Sequence, residues 1–164
     1  MTMTTEKVPQ NISSLIGEIG EQMVLFKLFE LTHAQEHLEI FKNYSESGYD
    51  IGIRISPDKK VRIEVKTRQH LVTTTAEKNK NTCHFTLTAN EKDNADFLIG
   101  YWIDHNSFFI VPISELKPAK NNGKLVYKHI VTKLKTKNEK NIYSNASMPF
   151  LENWTAILNF IYKA

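Results

Sequence analysis

Apolar and polar positions follow two rhythms along this chain. Between Asn11 and Thr32 the apolar residues recur with helical spacing, and Ile12, Leu15, Ile16, Ile19, Met23 and Phe26 fall on one stripe. Ser13 or Ser14 is available as the N-cap. From Met23 onward the segment is apolar nearly all round, which predicts a helix sandwiched in the core. The rhythm then becomes alternating. "HLEIFKNY" predicts a first strand, and "YDIGIRIS" a second, with Ile51, Ile53 and Ile55 on one face. "SPDKK" has turn chemistry, and "VRIEVKTR" predicts a third strand whose Val61, Ile63 and Val65 share a face.

The polar stretch from Gln69 to Asn81 predicts a loop, "CHFTLT" a short strand and "ANEKDNA" a helical turn. "DFLIGYWI" predicts a strong buried strand joined by the turn "DHNS" to a partner, "FFIVPI". "SELK" predicts a helical turn, "KLVYKHIV" an outer strand, and the lysines after it a loop. "PFLENWTAILNFIY" predicts a closing amphipathic helix, with Pro149 near its start. Trp102 is expected in the core, and Trp154, Ile157, Leu158 and Ile161 form a packing stripe. No repeat or linker divides the chain, so the pattern predicts one α/β domain with a mixed sheet over residues 13–164, after a flexible leader at 1–12.

Length and composition agree with that reading. The 164 residues are enough to bury one core, and no apolar run approaches the roughly 20 residues of a membrane span. The polar start and the single cysteine, Cys83, predict a cytoplasmic protein without disulfides. The formal charge of +3 is unevenly placed: residues 117–164 hold nine Lys against two acids. Such clustering suits either phosphate-backbone contact or a solvated lysine-rich surface. The six histidines offer no convincing metal pairing. His33 and His37 are four apart but read as loop residues.

The chemistry concentrates in residues 48–69. Glu64 and Lys66, two apart on a strand, project from one face, and Asp50 heads the preceding strand of the expected hairpin. Two carboxylates and the Val65 carbonyl suit a hard cation such as Mg²⁺, with Lys66 placed to act on a bound water or a phosphate. The same alternation, with Arg62 and Arg68, also describes a half-exposed strand carrying charge pairs.

The wider context resembles the PD-(D/E)XK nuclease superfamily, and the likeness runs from Leu15 to Ile113. It is carried by "GEIGE" on the first helix, "GYDIGI", "IEVK", "HFTLT", "ADFLIGYWID" and "FFIVPISEL" in that order. The order is most similar to small members such as Holliday-junction resolvases and compact restriction or homing endonucleases. The resemblance implies a restriction-endonuclease-like mixed sheet flanked by helices. It implies a Mg²⁺-dependent endonuclease acting on DNA, with Mn²⁺ as a substitute. Asp50 and Glu64 become metal ligands with the Val65 carbonyl, Lys66 the catalytic lysine, and Glu21 the helix-borne acid, a role Glu18 could also fill. Gln69 falls where some members carry an assisting polar residue. The family's proline before the aspartate is Tyr49 here.

Arg68, Lys133, Lys135 and Lys137 are expected on the nucleic-acid backbone. Double-stranded or branched DNA cut twice calls for two sites, hence a homodimer or higher oligomer. The alternative from another class is a non-catalytic nucleic-acid-binding or assembly module on the same fold.

Overall fold

In the computed structural model, residues 9–35, 37–44, 48–71, 81–137 and 140–163 are described, without the side chains of 135–137, 140 and 141. The chain builds a central sheet in the order β1-β2-β3-β5-β6 and a second sheet in the order β4-β8-β7, with β9 on β8. Their spans are β1 Glu39–Lys42, β2 Ile51–Ser56, β3 Lys59–Arg68, β4 Thr82–Thr88 and β5 Phe97–Trp102. They continue with β6 Ser107–Pro112, β7 Lys117–Asn121, β8 Lys124–Lys137 and β9 Lys140–Tyr143. The helices are α1 Gln10–Thr32, α2 Ala89–Asp93 and α3 Thr155–Tyr162. The central sheet is mixed: β3 and β5 run parallel and its other neighbours antiparallel.

Two cores follow from two covered faces. On one face α1 and α3 supply Val24, Leu28, Ile157 and Ile161 against Ile51, Ile53, Ile63 and Ile99. On the other, the second sheet sets Phe85 and Leu87 against Leu98, Trp102 and Phe109. That double cover explains why every residue of β5 is buried and why "FLIGYW" is continuously apolar. Gly100 is required there, because a Cβ would sit 2.7 Å from the Phe85 ring.

Several expectations need correction. The helix starts at Gln10 after Pro9, so neither Ser13 nor Ser14 caps it, and residues 10–12 belong to α1 rather than to a leader. Residues 1–8 lie outside the described residues. The side of α1 that meets the sheet is Gly20, Val24, Leu28 and Thr32, while Ile12, Leu15, Ile19 and Phe26 are exposed. The helix approaches β3 so closely that only a glycine fits over Thr67. That contact fixes which face turns inward.

The lysine-rich stretch after Val131 is not a loop but the continuation of β8, paired with β9. "DHNS" and "SELK" contain single 3-10 turns at Ile103–His105 and Ile113–Glu115. Pro149 sits in another 3-10 turn, and Glu152, at φ 52°, separates it from α3. Trp102 is fully buried, and Trp154 packs on Phe108 with ring centroids 5.4 Å apart. No helix among the described residues is long and apolar enough to cross a membrane.

Candidate active site

The site forms where β3 outruns β2. Their antiparallel ladder reaches Ile51 opposite Ile63, and the Asp50 N–H then donates to the Ile63 carbonyl at 2.9 Å. Two residues further into β3 the Asp50 side chain replaces a strand: its Oδ2 accepts the Val65 N–H at 2.8 Å. Backbone N–H and C=O of one strand residue leave on the same side, so the Val65 carbonyl faces the same edge.

Glu64 and Lys66 project from the face of β3 opposite Ile63 and Val65, which enter the helix-side core. Lys66 Nζ lies 3.4 Å from Glu64 Oε1 and donates to Glu91 Oε2 at 2.8 Å. Glu91 is itself held in place. Its Oε1 accepts the Thr88 N–H at 2.9 Å, while Thr88 Oγ1 accepts the Glu91 N–H at 3.1 Å, a capping box that starts α2. From the helix side α1 delivers Glu21, paired with Lys42 at 3.4 Å and within interaction reach of Asp50.

Burial and crowding set the charges. Glu64 is 5% exposed. Desolvation first, and then the Asp50 carboxylate and a hydrogen bond with Glu91, push the Glu64 carboxyl up to about 9. Burial would raise Glu91 as well, but hydrogen bonds from Glu64, Lys66 and Thr88 outweigh it and bring Glu91 down to about 2. The two acids are thus pushed in opposite directions, Glu64 toward its neutral form and Glu91 toward its charged form. Glu21 is raised by burial and by Asp50. Burial opposes the Lys66 ammonium, yet Glu91, Glu64 and Asp50 together raise its pKa above the usual lysine value. Lys66 is a firm cation.

Glu18 stands exposed on α1, and the helix acid that meets Asp50 is Glu21. Gln69 lies just past β3 and lines a cleft of about 200 Å³ with Ser13, Ile16, Thr67 and Arg68. The Arg68 guanidinium donates to the His84 and Thr67 carbonyls at 3.1 and 3.0 Å. Lys133 acts on His105 beyond the end of β5, further along the sheet than Lys66. The side chains of Lys135 and Lys137 lie outside the described residues. Sequence reasoning missed Glu91 and Lys42. The Thr88-to-Glu91 capping pattern was a readable signal for the helix start, but not for the lysine that its glutamate would meet.

Among the described residues, no three His, Cys, Asp or Glu side chains form a ready ligand cage. The donor set nonetheless fits a hard cation. Asp50, Glu64 and the Val65 carbonyl offer only oxygen, and the Asp50 carboxylate pushes the Glu21 and Glu64 carboxyls up, as happens where positive charge is short.

No protein-family model matches this chain, and no curated protein matches it in sequence. Solved structures do. The bacterial homing endonuclease I-Ssp6803I aligns over 90% of this chain and 91% of its own, at 14% identity and a TM-score of 0.61. The Holliday junction resolvase Hjc of Archaeoglobus fulgidus aligns over 69% of this chain and 82% of its own, at 15% identity and a TM-score of 0.46. The element order, the mixed sheet flanked by helices and the near-complete alignment with the homing endonuclease give one conclusion: this chain has a restriction-endonuclease-like fold.

Proposed function

We propose that this protein is a Mg²⁺-dependent endonuclease that hydrolyses phosphodiester bonds in DNA, with Mn²⁺ able to substitute. The observation that carries the reading is the convergence of Glu21, Asp50, Glu64 and Lys66 at the open edge of β3. Asp50, Glu64 and the Val65 carbonyl would hold the metal, and Glu21 its water shell or a second ion. When bound, the metal supplies Lewis-acid polarisation of the phosphate and a more acidic water. The Val65 N–H orients the Asp50 carboxylate. Lys66, held between Glu64 and Glu91, stabilises charge growing on the phosphate and positions the attacking water. Glu91 keeps the Lys66 ammonium at the site.

Arg68 and the lysines of β8, including Lys133, Lys135 and Lys137, supply backbone affinity without sequence information, and that affinity falls steeply with salt. Double-stranded or branched DNA is the substrate class, and two cuts call for a homodimer or higher oligomer. The buried free thiol of Cys83 agrees with a reducing, cytoplasmic setting. The test is cleavage of supercoiled plasmid and of branched DNA with Mg²⁺. Asp50→Ala and Lys66→Ala should each lose activity by at least about 100-fold, and equal cleavage by both variants and the wild type overturns the site.

A second reading is a nucleic-acid-binding or assembly module without catalysis, because one fold carries many functions. Intact DNA binding without any response to millimolar Mg²⁺ or Mn²⁺ would select it.

A further inference from the structure

Helix α1 has two apolar faces, and the fold uses one. Gly20, Val24, Leu28 and Thr32 are buried on the sheet side. Turned away from them at 3.6 residues per turn is a second stripe: Ile12, Leu15, Ile19, Gln22, Phe26 and Phe29. Its five apolar members are 37–61% exposed, with Phe26 and Phe29 the most open. The spacing alternates three and four along the whole stripe, the a/d pattern of a helix that meets another helix along its length.

The pattern also reads the same in both directions. In an antiparallel pair, a positions face d positions of the neighbour. One register then uses every member: Ile12 faces Phe29 of the second copy, Leu15 faces Phe26, and Ile19 faces Gln22. Each large ring meets a smaller aliphatic side chain, which is how facing layers fill evenly. A parallel pair would instead stack Phe26 on Phe26 and Phe29 on Phe29, with glutamine against glutamine between them. We propose that this stripe is an isologous dimer interface, in which α1 of a second copy of this chain packs antiparallel, with the two-fold axis between Ile19 and Gln22.

The area suits that occupant. An aromatic side chain buries roughly 150–250 Å² in full. Five side chains at about half that value give on the order of 400 Å² per copy, or roughly 800 Å² for the pair. The flanking Ile16, Met23 and Leu25, all half-buried, extend the contact toward the roughly 1,000 Å² of a specific interface. The interface stands on the exposed stripe alone and does not depend on the site being a nuclease. A monomer would also remove the homodimer proposed above but would leave the assignment of Asp50, Glu64 and Lys66 untouched, because the cleavage assay tests that separately.

Sedimentation equilibrium of the full chain is expected to give a dimer, and Leu15→Glu a folded monomer with unchanged circular dichroism, since Leu15 is 49% exposed. Mixing Leu15→Cys protein with Phe26→Cys protein under mild oxidation should give a cross-linked pair, while neither cross-links alone. Cys83 stays silent because burial pushes its thiol up to about 12. A monomer at every concentration, a dimer that survives Leu15→Glu, or self-cross-linking by each single variant would overturn the proposal.

Discussion

The Asp50 carboxylate accepts the Val65 N–H at 2.8 Å and thereby caps the strand edge from which Glu64 and Lys66 project. One side chain both closes a backbone ladder and brings negative charge to Glu21 and Glu64. Its two roles separate by mutation. Asp50→Asn keeps an acceptor for the Val65 N–H and removes a crowding charge, so the metal-free protein should be as stable as wild type or gain about 0.5–1 kcal/mol. Mg²⁺ should no longer raise its melting temperature, and DNA cleavage should fall at least about 100-fold. Melts in chelator and in Mg²⁺, beside a plasmid assay, read all three.

Glu91 should act on Lys66 as a positioning residue. Thr88→Ala removes half of the capping box, costs about 1 kcal/mol, and leaves the 2.8 Å contact between Glu91 and Lys66. Glu91→Ala removes both, so it should lower kcat about tenfold with little change in KM, whereas Thr88→Ala should leave kcat near wild type. Equal kcat losses in the two variants would mean that Glu91 serves only α2.

The seat of α1 is testable at Gly20, where an added methyl would overlap Thr67 Oγ1. Helix propensity favours alanine by about 1 kcal/mol, but the overlap should dominate. Gly20→Ala is therefore expected to lose about 2 kcal/mol net, as over-packed contacts do. Urea unfolding measures it, and combining it with Thr67→Ala should recover part of the loss.

His129 carries an acid-side prediction. It is 7% exposed, bonded through Nε2 to Ser147 Oγ at 3.0 Å, and edge-on to the Phe150 ring. Desolvation lowers its pKa to about 4. Between about 4 and 6.5 the unfolded chain takes up a proton that the folded protein refuses, so stability falls as pH drops through that window. The loss approaches about 3 kcal/mol near pH 4. Denaturation midpoints at several pH values should show a shallower fall for His129→Gln than for wild type.

The legible part of the protein was local. Alternation placed β2 and β3, the continuous apolar run placed β5, and the order of acids and lysine along the chain named the residues of the candidate site, because strand period and turn chemistry depend on neighbours a few residues away. The C-terminal helix was misplaced at its start because Glu152 takes a positive φ after Pro149, a bend held by hydrogen bonds between Glu152 and the Phe108 backbone and by the bridge of Leu151 to Phe109.

Which face of α1 is core was not legible, since both faces are apolar and the choice rests on a long-range contact, Gly20 against Thr67. The same holds for Glu91, whose capping pattern is local but whose lysine partner lies 25 residues earlier in the chain. The sequence by itself determined the elements, their order and the chemical kinds of Asp50, Glu64 and Lys66. Tertiary structure decided that β2 stops short of Val65, that Glu21 rather than Glu18 reaches Asp50, and that burial pushes the Glu64 carboxyl up. Those outcomes depend on burial and on approaches between distant segments, which no window of neighbouring residues contains.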